Sequence, residues 1–297
     1  MELALRDRLR TPGVWSFTDA MPVAEAAEFA ARVESLGYSA LWVPDTVGRD
    51  PFAHIAHLAN QTTSLVFATG IASIFQRHPG AMKQAAYTLA EQTDDRFMLG
   101  LGVSHAPMVE GVRQLDYAKP LTQMSAYLEA MASSPYRTPA SVTVTTPPTL
   151  LAALGPKMLA LAAKAADGAH PYWTTPEHTA DARTLLGPDK LLCVEQKVVL
   201  STDPAAAREA ANAALAIYAK LPNYRNNWIR LGYREEEIEH RDHRFVDAVV
   251  AWGDEESVSS RIRAHYDAGA DHVCIQVLPT DGSGLTDWHA LEAMAPR

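Results

Sequence analysis

Residues 96–108, RFMLGLGVSHAPM, place two glycines in an apolar run and a histidine three residues after the second. Gly100-Leu101-Gly102 could open a dinucleotide-binding loop, but that loop needs a third glycine at position 105 and a helix beginning at once. Position 105 is His, followed by Ala106-Pro107. Glycines inside a strand serve another purpose, letting a ligand or a second backbone come close. Ser104 and His105 would then stand at the end of a buried strand. An imidazole there can give or take a proton near neutral pH; a hydrogen-bonded loop histidine is the plainer alternative. Two histidine pairs, His54/His57 in DPFAHIAH and His240/His243 in EHRDH, have spacing that could offer two metal ligands. Neither is an H-E-x-x-H arrangement and no third ligand stands out, so no metal site is assigned. G-x-S-x-G, Walker and catalytic-cysteine signatures are absent from the sequence.

Positioning such a histidine requires a scaffold, and the chain repeats one. AEFAARVESLGYSALWVPD, LALAAKAADGAHPYW and SSRIRAHYDAGADHVCIQVL each run from an amphipathic helix through a glycine into a short apolar segment. Gly37, Gly168 and Gly269 suit the helix ends. The apolar segments suit parallel strands buried on both faces. Strands are predicted at 14–17, 40–45, 65–71, 97–103, 149–154, 169–173, 191–200 and 272–278. Helices are predicted at 79–93, 156–166, 204–220 and 254–268, with Pro79, Pro156 and Pro204 in their first turns. Eight strands alternating with helices predict an α/β protein, a (β/α)8 TIM barrel, with a doubly wound open sheet as the alternative.

The 297 residues suit one barrel domain spanning 1–297, with loop excursions at about 106–148 and 221–250. The Pro-, Ser- and Thr-rich stretch 133–148 reads as a loop between strands four and five. The stretch 221–245 reads as a polar excursion with short helices. A formal net charge of -9 disfavours a general grip on nucleic acid. The polar start MELALRDRLRTPG and the lack of an apolar run of about 18 residues predict neither signal peptide nor membrane span. Cys193 and Cys274, each in an apolar run, read as reduced and buried, which points to the cytoplasm.

The stretch 66–105 makes a family visible. Thr69-Gly70-Ile71, Arg77-His78-Pro79, Gln84, Leu89-Ala90, Arg96-Phe97 and Gly100-Leu101-Gly102 together resemble the bacterial luciferase-like monooxygenase superfamily, which is built as a (β/α)8 barrel. LWVPD (41–45), LGPKMLALAAKAADGAHPYW (154–173) and GDEESVSSRIRAHYDAGADHVCIQVL (253–278) resemble its second strand, its strand-five-to-six segment and its closing unit. The GLGVSH form and the short insertions resemble the branch that uses the deazaflavin coenzyme F420.

The resemblance implies a luciferase-like oxidoreductase that uses coenzyme F420 for hydride transfer to or from a small organic substrate. FMN-dependent monooxygenation, with a flavin reductase partner, is the alternative within the superfamily. A metal-dependent barrel hydrolase and a non-catalytic deazaflavin carrier are the rivals outside it. The resemblance also implies a cis peptide at Gly70–Ile71 behind the flavin ring, and a homodimer. It implies His105 and Asp45 as the catalytic pair. Asp45, Gly70, Ile71, Val103, Ser104, Gly155, Pro156, Trp173 and Thr174 form the implied cofactor site, with Gly155–Pro156 and Trp173–Thr174 at the phosphate tail. Asp45-Thr46 stands where sugar-phosphate dehydrogenases of the superfamily carry Asp-His, and His105 where they carry glutamate, which disfavours that activity. Trp15, Trp42, Phe75 and the variable loops are expected to bound a partly apolar substrate.

Overall fold

The computed structural model describes residues 2–138, 145–284 and 286–296. Its strands are β1 (Gly13–Trp15), β2 (Ala40–Val43), β3 (Val66–Thr69), β4 (Ala72–Ser73), β5 (Phe97–Gly102), β6 (Thr149–Leu151), β7 (Gly168–Ala169), β8 (Leu191–Leu200), β9 (Val250–Gly253) and β10 (His272–Val277). Eight of them close a parallel barrel in the order β1-β2-β3-β5-β6-β7-β8-β10, with β10 returning to β1. The two short extras lie off this circuit: β4 continues beside β5, and β9 extends β8 on the side that β7 leaves open. The sequence therefore locates all eight barrel strands, while β4 and β9, which lie outside the helix–glycine–strand repeat, are not among its predicted strands.

Alternation along the strands divides two cores. Trp15, Trp42, Ala68, Met98, Leu150, Cys193 and Cys274 fill the barrel, and Leu5 and Leu9 of the N-terminal segment close its lower end. The intervening residues, among them Leu41, Phe67, Leu99, Leu151, Val194 and Ile275, pack outward against the helices. Helices Pro79–Gln92, Pro156–Ala165 and Pro204–Tyr218 do begin on the expected prolines. There the missing N–H costs nothing and φ is already helical.

Two stretches depart from the sequence reading. The excursion expected at 106–148 contains a π-helix, Pro107–Val112, and an α-helix, Pro120–Ser133, which buries Met124, Tyr127 and Leu128. Residues 139–144, within the predicted 133–148 loop, lie outside the described residues. The predicted strand 169–173 is ordered as a strand only at Gly168–Ala169. Beyond it the chain turns at Trp173, where φ is 58°.

Candidate active site

Gly100 and Gly102 of the RFMLGLGVSHAPM stretch both lie where a side chain would collide with β3 and its end. A Cβ on Gly100 would stand 2.0 Å from the Thr69 carbonyl oxygen, and one on Gly102 would stand 2.5 Å from the Ile71 side chain. The glycines thus make room for neighbouring backbone, the bulge that ends β3. The Gly70–Ile71 peptide in that bulge is cis. Trp15 Nε1 donates to the Gly70 carbonyl at 3.1 Å, and the Gly70 N–H reaches the Val43 carbonyl at 2.8 Å.

Asp45 lies against the same bulge. Its backbone N–H donates to the Ile71 carbonyl at 3.2 Å. Its carboxylate accepts from the Ser73 N–H at 3.2 Å and pairs with Arg77 at 3.0 Å, almost wholly buried. Arg77 also pairs with Asp50, the cap of helix Pro51–Ala59. Burial pushes the Asp45 carboxyl upward, against the pull of Ser73 and Arg77. Both contacts, the ion pair and the accepted amide, tie β2 to the bulge.

His105 follows β5 through Val103 and Ser104, with Ser104 held in a left-handed conformation at φ 54°. Tyr117 donates its hydroxyl to the Ser104 carbonyl at 3.2 Å. The His105 ring lies edge-on to Tyr218 at 6.5 Å and tilted to Tyr224 at 5.5 Å. Its Nδ1 is buried without a protein partner. Burial pushes the imidazole down to about 4, well below the near-neutral value expected from sequence, so it stands neutral at pH 7.

Across the mouth, β8 supplies a feature the sequence reading missed. Glu195 and Lys197 share the inward face with Cys193 and reach the upper layer of the barrel. They form an ion pair at 2.7 Å with 0% and 1% of the side chains exposed. The second Glu195 oxygen accepts from the Trp173 N–H at 3.2 Å, anchoring the left-handed turn there. The Lys197 ammonium stands 3.5 Å over the Tyr172 ring and 4.2 Å over that of Trp173. Burial brings it down to about 8, with Glu195 opposing the fall. Tyr172 donates to Gln276 Oε1 at 2.8 Å and lies 3.4 Å from the Tyr218 hydroxyl. In an eight-strand circuit β8 stands four strands from β3, so this cluster faces the bulge. Its signal in the sequence was EQK within an otherwise apolar strand.

The remaining predicted residues fall in two places. Trp173 is buried beside the Tyr218 ring, Thr174 after it is also buried, and Trp173 Nε1 and Thr174 Oγ1 lack protein partners. Gly155 and Pro156 instead open helix Pro156–Ala165, whose first turn has no side-chain cap. They border a cavity of about 450 Å³ with His178, Asn227 and Arg230. There His178 Nδ1 and Asn227 Nδ2 are buried without partners, and Arg230 donates to Asn227 Oδ1 at 3.2 Å. Helix Pro222–Arg230 joins the two places, with Tyr224 at the mouth and Asn227 and Arg230 at the cavity.

Trp42, expected to bound the substrate, lies within the barrel instead. It is fully buried, stacked on His170 at 4.0 Å, and donates Nε1 to His272 Nε2 at 3.3 Å. The histidine pairs do not converge. His54 is buried against the Thr18 hydroxyl at 2.9 Å while His57 is exposed. His240 ends one helix and His243 begins the next, both exposed. Among the described residues no group of three or more His, Cys, Asp or Glu could hold a metal ion, and no helix is long and apolar enough to cross a membrane.

Residues 9–272 match the family model described as luciferase-like monooxygenase. The chain is 27% identical over 269 residues to a Mycobacterium tuberculosis protein named as a coenzyme F420-dependent oxidoreductase, covering 75% of this chain and 77% of that one. Among solved structures, an F420-dependent secondary alcohol dehydrogenase in complex with an F420-acetone adduct superposes with a TM-score of 0.74 at 16% identity, covering 96% of each chain. The oxygenating constituent of 3,6-diketocamphane monooxygenase from Pseudomonas putida, in complex with FMN, superposes with a TM-score of 0.67 at 14% identity, covering 97% of each chain.

Proposed function

Since the chain belongs to the luciferase-like monooxygenase family, we propose that it is an oxidoreductase that uses coenzyme F420 to pass a hydride to or from a small organic molecule. The observation that carries this reading is the set of buried polar atoms without protein partners around the mouth: His105 Nδ1, Trp173 Nε1 and Thr174 Oγ1. Such groups are rare in a folded interior and are what a polar ligand would satisfy. The relatives named for F420 support the deazaflavin over FMN.

When bound, the deazaflavin supplies a ring carbon that exchanges hydride and reacts poorly with oxygen. The bulge at Gly70–Ile71, fixed by Trp15, Asp45 and the glycines of β5, gives that ring a rigid backing. The uncapped first turn after Gly155, with Arg230 and Asn227 alongside, suits the phosphate of the tail. His105, neutral at pH 7, accepts the proton released as a substrate hydroxyl is oxidised, or returns it in the reverse direction. The ion pair of Asp45 gives that residue a positioning role for the bulge. Tyr172, braced by the buried Lys197–Glu195 ion pair, faces the bulge from across the barrel and would bound the substrate on that side.

Parallel titrations of the protein with oxidised F420 and with FMN test this. Micromolar or tighter binding of F420 alone is expected. Preference for FMN would move the protein to the oxygen-dependent branch, and binding of neither would remove the cofactor assignment.

A further inference from the structure

His178 is a buried imidazole without a role in hydride transfer. It stands in the first turn of helix Pro176–Leu186 with 3% of the residue exposed. Its Nε2 lies 2.8 Å from the Leu154 carbonyl oxygen, which can only accept, so the proton of the neutral ring is on Nε2. Nδ1 is therefore a bare lone pair. It is buried without a protein partner, on a ring that lines the cavity of about 450 Å³ beside Gly155. Asn227, 1% exposed, lines the same cavity with the opposite lack: its Oδ1 accepts from Arg230 and its Nδ2 donor has no partner. The charged residues lining the cavity are Arg230 and Asp181, both exposed and of opposite sign. Lys157, on the first turn after Gly155, is exposed and outside that lining. His265 of helix Glu255–Asp267 also acts on His178, but both of its nitrogens are engaged, with Thr179 and Gln196. Burial and Arg230 hold the His178 ring below its ordinary value, against the pull of the Leu154 bond and Asp181, so it stands neutral at pH 7.

Resting on the deazaflavin reading above and its phosphate in this cavity, we propose that His178 takes up one proton from solvent when the phosphate binds and becomes the second cation that holds it. A phosphate diester, the form in the F420 tail, offers acceptor oxygens only. The Asn227 amide and the Arg230 guanidinium can donate to them, but a bare Nδ1 sets a lone pair against an anion. A monoester could bring its own proton to that nitrogen. A diester cannot, so the proton goes onto the ring. The balance is neutral imidazole, one solvent proton and diester anion giving an imidazolium hydrogen-bonded to the anion. The imidazolium keeps its Nε2–H on Leu154 and gains an Nδ1–H for a phosphate oxygen, so no bond of the free protein is lost. Without that proton the anion meets a lining whose two charges offset each other.

Calorimetric titrations with F420 in two buffers of different ionisation heat count the protons taken up. A maximum close to one proton is expected between about pH 6 and pH 8, with F420 affinity falling by up to about tenfold per unit as the pH rises. The same deazaflavin lacking its phosphate should take up none, a control that separates His178 from His105 at the ring end. In His178→Gln, whose amide donates without charge, the uptake should vanish and the slope with pH should flatten, while the phosphate-free ligand binds as in the wild type. No uptake, equal uptake with both ligands, or undiminished uptake in a variant that still binds the phosphate-free ligand overturns the proposal. If the wild-type protein binds neither deazaflavin, the cofactor reading falls. Dimethyl phosphate, titrated while the His178 Cε1–H resonance is followed, then decides the proton separately: a downfield shift is expected, and an unmoved resonance overturns the proposal.

Discussion

At the scale of single residues, the site rests on groups whose surroundings allow little change. Lys197 and Glu195 hold each other inside the barrel. Removing one partner of such a pair leaves a buried charge uncompensated, at a cost of about 3–5 kcal/mol. Lys197→Met should therefore lower the urea midpoint sharply, and adding Glu195→Gln should recover much of the loss. Equal instability of the single and double variants would mean that packing over Tyr172, and not charge, dominates. Gly100 is constrained by geometry alone, since its extra methyl would strike the Thr69 carbonyl. Gly100→Ala should cost about 1–3 kcal/mol in urea unfolding. Gly111→Ala, where nothing lies within 4 Å, should be close to neutral.

At the scale of elements, the barrel was legible because its signal repeats. Helix, glycine and apolar strand recur, and each recurrence supports the others. The β3 bulge was legible only through family resemblance, and the glycines that admit it could equally have begun a phosphate loop. The Lys197–Glu195 pair stayed hidden because an alternating strand does not say whether its polar residues face the barrel or the helices. Arg230 and Tyr224 stayed hidden for another reason: they lie in an excursion without barrel periodicity, and only tertiary packing brings them to the cavity and mouth, as it brings Tyr218 from the end of the helix before it. Helix Pro222–Arg230 offers a direct check. Arg230→Ala should weaken F420 binding roughly tenfold, the scale of one charge-assisted hydrogen bond. It should leave the affinity for the same deazaflavin lacking its phosphate unchanged. An equal loss for both ligands would remove the phosphate from the cavity beside Gly155.

For the whole molecule, four buried imidazoles govern behaviour in acid. Burial brings His105 and His272 down to about 4 and His170 and His265 down to about 3. In the unfolded chain each takes a proton near 6.5. The unfolded state thus binds more protons between these values, so stability is complete above about 6.5 and falls as the pH drops toward 4. Each histidine contributes a slope of up to about 1.4 kcal/mol per pH unit in that window. Melting temperature should decline steeply between pH 6 and pH 4, and His105→Gln should make the decline shallower by one proton. A melting temperature flat across that window would contradict the buried neutral state of these rings. The segment from Pro204 to Gly253 behaves differently from the repeat around it. It has a hydrophobic cluster about Trp228 and Phe245 that takes in Trp173, Val199 and Leu278 of the barrel mouth, an internal Arg208–Asp247 pair, and β9 paired to β8. It also presents Tyr218 and Tyr224 to the mouth and Arg230 to the cavity. A graft of this one stretch from a relative would alter both what enters and what is held, with the eight barrel strands left as they are. Selectivity in this protein can therefore be inherited as a module, separately from the scaffold that carries it.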